Sequence, residues 1–193
     1  MCDTLDIRQD GTPITTGFPK AVVEACFFEL LAQCVEMAGP IANRRNVIVV
    51  DFLSTITGGV FNFQQDRMAI TNSVIQNGTR CKLSRLIAYM SHEIVHYVVA
   101  PASTAAWVDD PIVLEEGLTT RFQMQVSEIP ESYYDTQYRR AKQLLDSLDD
   151  TKIREIRAMQ PVLNEVSKDD LTDRGIPDDL ASKLSSKFRG GTW

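Results

Sequence analysis

The sequence predicts an α+β protein: an N-terminal helix, a small β-sheet, a second helix carrying two histidines, and a helical remainder. Three observations predict it. Between residues 46 and 72 the chain is dense in β-branched residues and punctuated by glycines, as in NVIVVDFL, the composition of short buried strands. From 83 to 98 apolar residues recur at spacings of three and four, the period of one helix face. Beyond residue 131 the chain is charged and helix-patterned.

Each element has its own reason. Residues 1–18, with Gly11, Pro13 and Gly17, read as an irregular lead-in. Lys20 to Met37 reads as a helix whose buried stripe is Val22, Val23, Cys26, Phe27, Leu30, Leu31, Cys34 and Val35, stopped by Gly39-Pro40. Asn46 to Leu53 reads as a buried strand. Gly58-Gly59 opens a second strand, Val60 to Gln64, and Arg67 to Asn72 forms a third.

Asn77-Gly78 marks a turn, and the next helix starts between Thr79 and Leu83. Leu83, Leu86, Ile87, Met90, Ile94 and Val98 form its apolar stripe, with Arg85, Tyr89, His92 and His96 opposite, facing a cleft; Pro101 ends it. After a loop from Pro101 to Asp109, Asp110 as cap and Pro111 in the first turn start a helix that runs to Val126. Gly117 inside it costs about 0.5–1 kcal/mol relative to alanine, a sign that something packs close to the backbone. Helices Tyr134 to Leu148, Thr151 to Met159 and Pro177 to Phe188 follow, with Gly175 separating the last from what precedes it. The charge runs Asp149-Asp150 and Lys168 to Asp170 read as solvated faces.

The 193 residues suffice for one domain, with an α/β lobe over 1–100 and a helical lobe over 101–193. Hydrophobic residues are 44% and charged residues 24%, an ordinary globular composition. The net charge is −6 and the pI about 5.0, with no stripe of lysine or arginine, which speaks against nucleic-acid binding. No apolar run approaches the roughly 18–20 residues that span a membrane. The first twenty residues carry no basic-then-apolar signal pattern, so a cytoplasmic place is expected, with export by a route that needs no cleaved signal as the alternative. Cys26 and Cys34, eight residues apart on one helix, are too distant to bridge. Free thiols are the expectation for the four cysteines, which favours a reducing compartment.

The chemistry concentrates in Tyr89 to Ala100, YMSHEIVHYVVA. His92, Glu93 and His96 spell H-E-x-x-H, and they include the chain's only two histidines. Four residues apart on a helix, the imidazoles share a face about 5–6 Å apart at Cβ and can meet one zinc ion at roughly 2.0–2.1 Å each. Glu93, on the neighbouring strip, can act as general base toward water. Glu115 and Glu116 follow on the next helix, either one able to complete the ligand set.

H92-E-I-V-H96 followed by L114-E-E-G-L118 resembles the gluzincin metallopeptidases. In the aminopeptidase N type the third ligand is a glutamate standing directly before a glycine, in W-L-N-E-G. That match implies Glu116 as ligand, with Glu115 in place of the asparagine. Residue count disagrees. Nineteen residues, 97 to 115, separate His96 from Glu116, and eighteen, 97 to 114, separate it from Glu115; the family's usual spacing is the latter. Glycine adjacency is preferred, because a loop absorbs one residue while helix phase does not. Upstream, G58-G-V-F-N62 resembles the G-A-M-E-N strand that lies along the substrate. Phe61 stands where the family's amine-binding glutamate stands, which implies an endopeptidase rather than an aminopeptidase.

The match covers roughly residues 58–122 and implies a minimal, single-domain zincin-like fold: a small mixed sheet over the active-site helix, then a helical C-terminal lobe. The implied activity is zinc-dependent peptide hydrolysis, with one zinc per chain on His92, His96 and Glu116, water activated by the metal, and Glu93 as general base. A tyrosine after the third ligand would serve the oxyanion; of Tyr133, Tyr134 and Tyr138, Tyr134 is taken. Glu115, Asp109 and Asp110 are candidates to hold the imidazoles from behind. The expected partner is a peptide or protein substrate, without nucleic acid or membrane. The alternatives are a catalytically inactive zinc-binding scaffold, against which an intact Glu93 argues, and a zinc hydrolase of a non-peptide substrate.

Overall fold

A computed structural model describes residues 4–16, 18–38, 47–62, 65–75, 83–99, 113–127 and 167–188, with isolated positions between 139 and 155. Its architecture is mixed α/β, with helices and one five-stranded sheet. The chain divides into two compact units: Met1–Val98 with Phe122–Tyr133, and Val99–Arg121 with Tyr134–Trp193.

The first unit holds the sheet, in the order β2-β1-β3-β5-β4. Its strands are β1 (Thr4–Gln9), β2 (Thr12–Pro13), β3 (Val47–Leu53), β4 (Gly59–Asn62) and β5 (Arg67–Thr71). β1, β3 and β5 run parallel, while β2 and β4 are antiparallel at the two edges. The register gathers one apolar face: Leu5 pairs with Ile48, Ile7 with Val50, Val50 with Met68, Phe52 with Ile70, and Phe61 with Met68. All are buried, as period-two alternation requires. On the opposite face Arg67 pairs with the fully buried Asp51, whose other carboxylate oxygen accepts Gly11 N at 3.2 Å.

The expected irregular lead-in is in fact the β1–β2 hairpin. Leu5 and Ile7 alternate with Asp6 and Arg8, a strand pattern too short to outweigh the nearby glycines and proline. Asp10 and Gly11 form the two-residue turn, with φ of 47° and 81°, the positive values that a tight hairpin needs and that Asp-Gly supplies. Ser54 ties the turn down, donating from N (2.7 Å) and Oγ (2.9 Å) to Asp10 Oδ1.

Helix α1 (Phe18–Ala38) buries Val23, Phe27, Leu30, Leu31 and Cys34. Helix α2 spans Leu83–Val99 and helix α3 spans Val113–Ser127. Leu30 of α1, Ile87 of α2 and Val126 of α3 line one surface groove, which places these three segments side by side. Two expectations for α2 need correction. Leu83 is 46% exposed rather than part of the packed stripe, and every residue from Ser91 to Val98 is buried, the polar side included.

In the second unit, Lys168–Thr172 is a short helix, α4, and Asp178–Phe188 is α5. The charge run at 168–170 is thus a capped first turn. Ser167 Oγ accepts from Asp170 N (3.1 Å) while Ser167 N donates to Asp170 Oδ2 (2.9 Å), a reciprocal capping box. Gly175, at φ 76°, closes this turn, and Ile176 N donates to Leu171 O at 3.2 Å before Pro177 leads into α5. The expected helices over 134–159 fall largely outside the described residues, as do Asn77-Gly78 and the loop from 101 to 109. Among the described residues, no helix is long and apolar enough to cross a membrane.

Candidate metal centre

Helix phase builds the site. His92 and His96, one turn apart on α2, bring their ring centroids to 4.9 Å at an interplanar angle of 75°. Glu116 lies in the second turn of α3. One ligand atom from each of His92, His96 and Glu116 lies within 4.8 Å of the other two. Two ligands at roughly 2.1 Å from one ion, set at a tetrahedral angle, are about 3.4 Å apart. The donor set, two imidazoles and one carboxylate, is of the kind that leaves a fourth position open in catalytic zinc sites.

Burial sets the site apart from an accidental surface cluster. His92 is 2% exposed, Glu93 3%, His96 5% and Glu116 5%. Taking several ionisable groups out of water together costs several kcal/mol unless a partner or a metal offsets it. A buried His–His–Glu group that could hold a metal ion meets that condition.

Glu93 projects from α2 toward β4. A Cβ placed on Gly59 would lie 2.6 Å from Glu93 Oε1, so the carboxylate lies directly against the edge strand. One turn further along α2, Tyr97 meets Phe61 of β4 edge-to-face, with centroids 5.6 Å apart. Phe61 is buried. Phe61 is thus a packing residue on the helix-facing side of the sheet.

α3 carries a second polar row. Thr119, Thr120 and Gln123 are all buried, three, four and seven residues beyond Glu116, hence on its side of the helix. Gln123 Nε2 donates to Ser127 Oγ at 2.9 Å, and Ser127 Oγ donates to Gln123 O at 2.7 Å. The row was legible in the spacing but passes for ordinary helix surface until burial is known. Tyr134, with Tyr133 and Tyr138, lies outside the described residues, as do Asp109, Asp110 and the side chain of Glu115.

Fold and site together define a mixed α/β protein with a buried group of metal-ligating character on two helices. Compared with protein-family models, with curated proteins and with solved structures, the chain finds no match in any of the three.

Proposed function

We propose that the chain is a zinc-dependent peptide hydrolase of the gluzincin type, with a zincin-like catalytic fold. The observation that carries the reading is the buried convergence of His92, His96 and Glu116 beside a buried glutamate, Glu93, one position after a ligand. A purely structural site has no use for that second carboxylate. In this reading His92, His96 and Glu116 hold the metal. Zinc, when bound, supplies a Lewis acid and brings the pKa of water down toward about 7. Glu93 takes the proton of the attacking water and delivers it to the leaving amine, a positioned acid–base role worth about 10²–10⁴-fold. Tyr134 is the proposed donor to the oxyanion.

The edge strand supports a peptide as substrate. β4 pairs with β5 on one side and with no other strand among the described residues, and an extended chain can add to such an edge through main-chain hydrogen bonds. The Phe61–Tyr97 contact favours internal cleavage, since an aromatic ring offers no charge to a free amine.

The test joins elemental analysis with digestion of a broad peptide library. About one zinc per chain and internal cleavage are expected, with Glu93→Gln keeping the metal and losing turnover. Full activity in Glu93→Gln removes the general-base role. Zinc-loaded protein that cleaves no peptide leaves a binding scaffold, or a hydrolase of another substrate.

A further inference from the structure

We propose that Gly59 is a positioning residue for Glu93: the missing side chain at this point of β4 is what allows the carboxylate to lie where it does. The inference rests on the reading of Glu93 as the proton-transferring group. Glycine is not required at position 59 by backbone conformation. The glycines with left-handed φ among the described residues are Gly11 and Gly175, not Gly59. Glycine inside a strand also weakens it, and often marks the close approach of another group. Here that group is identified, since an added Cβ would meet Glu93 at Oε1 (2.6 Å), Cγ (3.0 Å) and Cδ (3.1 Å).

Either the strand or the side chain must yield to such a Cβ, and the strand is the better held. β4 is paired with β5 over its whole length, from Gly59 to Asn62, and Thr71 N donates to Gly58 O at 2.7 Å just before it. Phe61, the next residue on the same face, is seated on Tyr97. Residues two apart on a strand are about 6.8 Å apart and residues four apart on a helix about 6 Å. Gly59 over Glu93 and Phe61 over Tyr97 therefore lock β4 to α2 at two successive points. Glu93 turns about soft side-chain torsions. A methyl at 59 thus displaces the carboxylate and leaves the fold and the metal ligands in place.

The experiment compares wild type, Gly59→Ala, Glu93→Gln and the double variant by crystal structure, zinc content, thermal unfolding and peptide turnover. In Gly59→Ala the Glu93 carboxylate is expected to move by about 1 Å or more, a displacement that costs on the order of 10²-fold in rate. The loss falls on kcat, with KM, zinc content and Tm near wild type. In the Glu93→Gln background the same substitution removes almost nothing further, because two changes acting through one group do not add. An unmoved carboxylate beneath a displaced strand overturns the proposal. So does a loss of zinc or of Tm that accounts for the rate, or an equal fold-loss in the Glu93→Gln background. Wild-type turnover in Glu93→Gln defeats the base reading instead, while the two crystal structures still decide whether Gly59 seats the side chain.

Discussion

Replacing Glu116 by glutamine should uncouple two properties that a ligand normally joins. Glu116 is 5% exposed, and burying a carboxylate in its charged form costs more desolvation than burying a neutral amide of the same shape. Metal-free Glu116→Gln should therefore unfold no earlier than metal-free wild type. Zinc reverses the order. With free zinc buffered at 100 times the wild-type Kd, linkage stabilises the native state by about 2.7 kcal/mol. For a chain of this length each kcal/mol moves Tm by about 2–4 °C, giving a gain of about 5–11 °C. Losing a direct ligand weakens binding by at least about 100-fold, judging from the 10–100-fold cost of losing an outer partner. At the same free zinc the variant then gains only about 0.4 kcal/mol, roughly 1 °C. Differential scanning fluorimetry of both proteins, chelated and in zinc buffer, reads all four values. An undiminished zinc gain in the variant refutes Glu116 as ligand. A metal-free variant that melts well below metal-free wild type refutes the desolvation reasoning and makes Glu116 a structural carboxylate.

Three further outcomes can be checked on the same protein. Gly11→Ala places a side chain at φ 81° with nothing within 4 Å of its Cβ, so the cost is conformational alone, about 1–2 kcal/mol, read as a lower midpoint in urea unfolding. The Asp170 carboxyl is held below its ordinary value near 3.8, first by the hydrogen bond from the Ser167 hydroxyl and then by the Ser167 N–H. A depressed carboxylate stabilises above its unfolded pKa, and the contribution is lost as pH falls through the folded value; NMR titration should show Asp170 shifted downward in wild type and back toward 3.8 in Ser167→Ala. Burial pushes the Cys34 thiol up to about 12, leaving roughly 10⁻⁴ of it ionised at pH 8. Mass-mapped alkylation of native protein should accordingly label the part-exposed Cys26 and spare Cys34; rapid labelling of Cys34 would show that α1 opens.

The histidine pair was legible because helix period and residue scarcity act together: only one face of one helix can bring the chain's two histidines together. Glu116 is preferred over Glu115 by its glycine neighbour; among the described side chains Glu116 lies near both imidazoles, and the side chain of Glu115 is not among them. β3, β4 and β5 show in β-branched residues and glycine punctuation, but the parallel pairing of β3 with β1 and β5 does not, since β1 and β3 pair across some forty residues and no local signal records that. The Asp10-Gly11 turn was visible in the composition, yet Leu5 and Ile7 alone did not establish a strand before it. Least legible were the burial of α2's polar side and the contact of Gly59 with Glu93. Both depend on a strand lying along a helix, and a residue without a side chain says nothing about which neighbour requires its absence.

The two edges of the sheet are unequal in a way that bears on how copies of the chain behave toward one another. β2 is two residues long and ends in Pro13, which has no N–H to offer and cannot template a further strand. β4 offers four residues, with Val60 54% exposed. Among the described residues β4 pairs on one side only, and such an edge is a place where self-association into aggregates can start. Its shortness and the net charge of −6 oppose such encounters, and an extended ligand seated on β4 would stopper the edge against them.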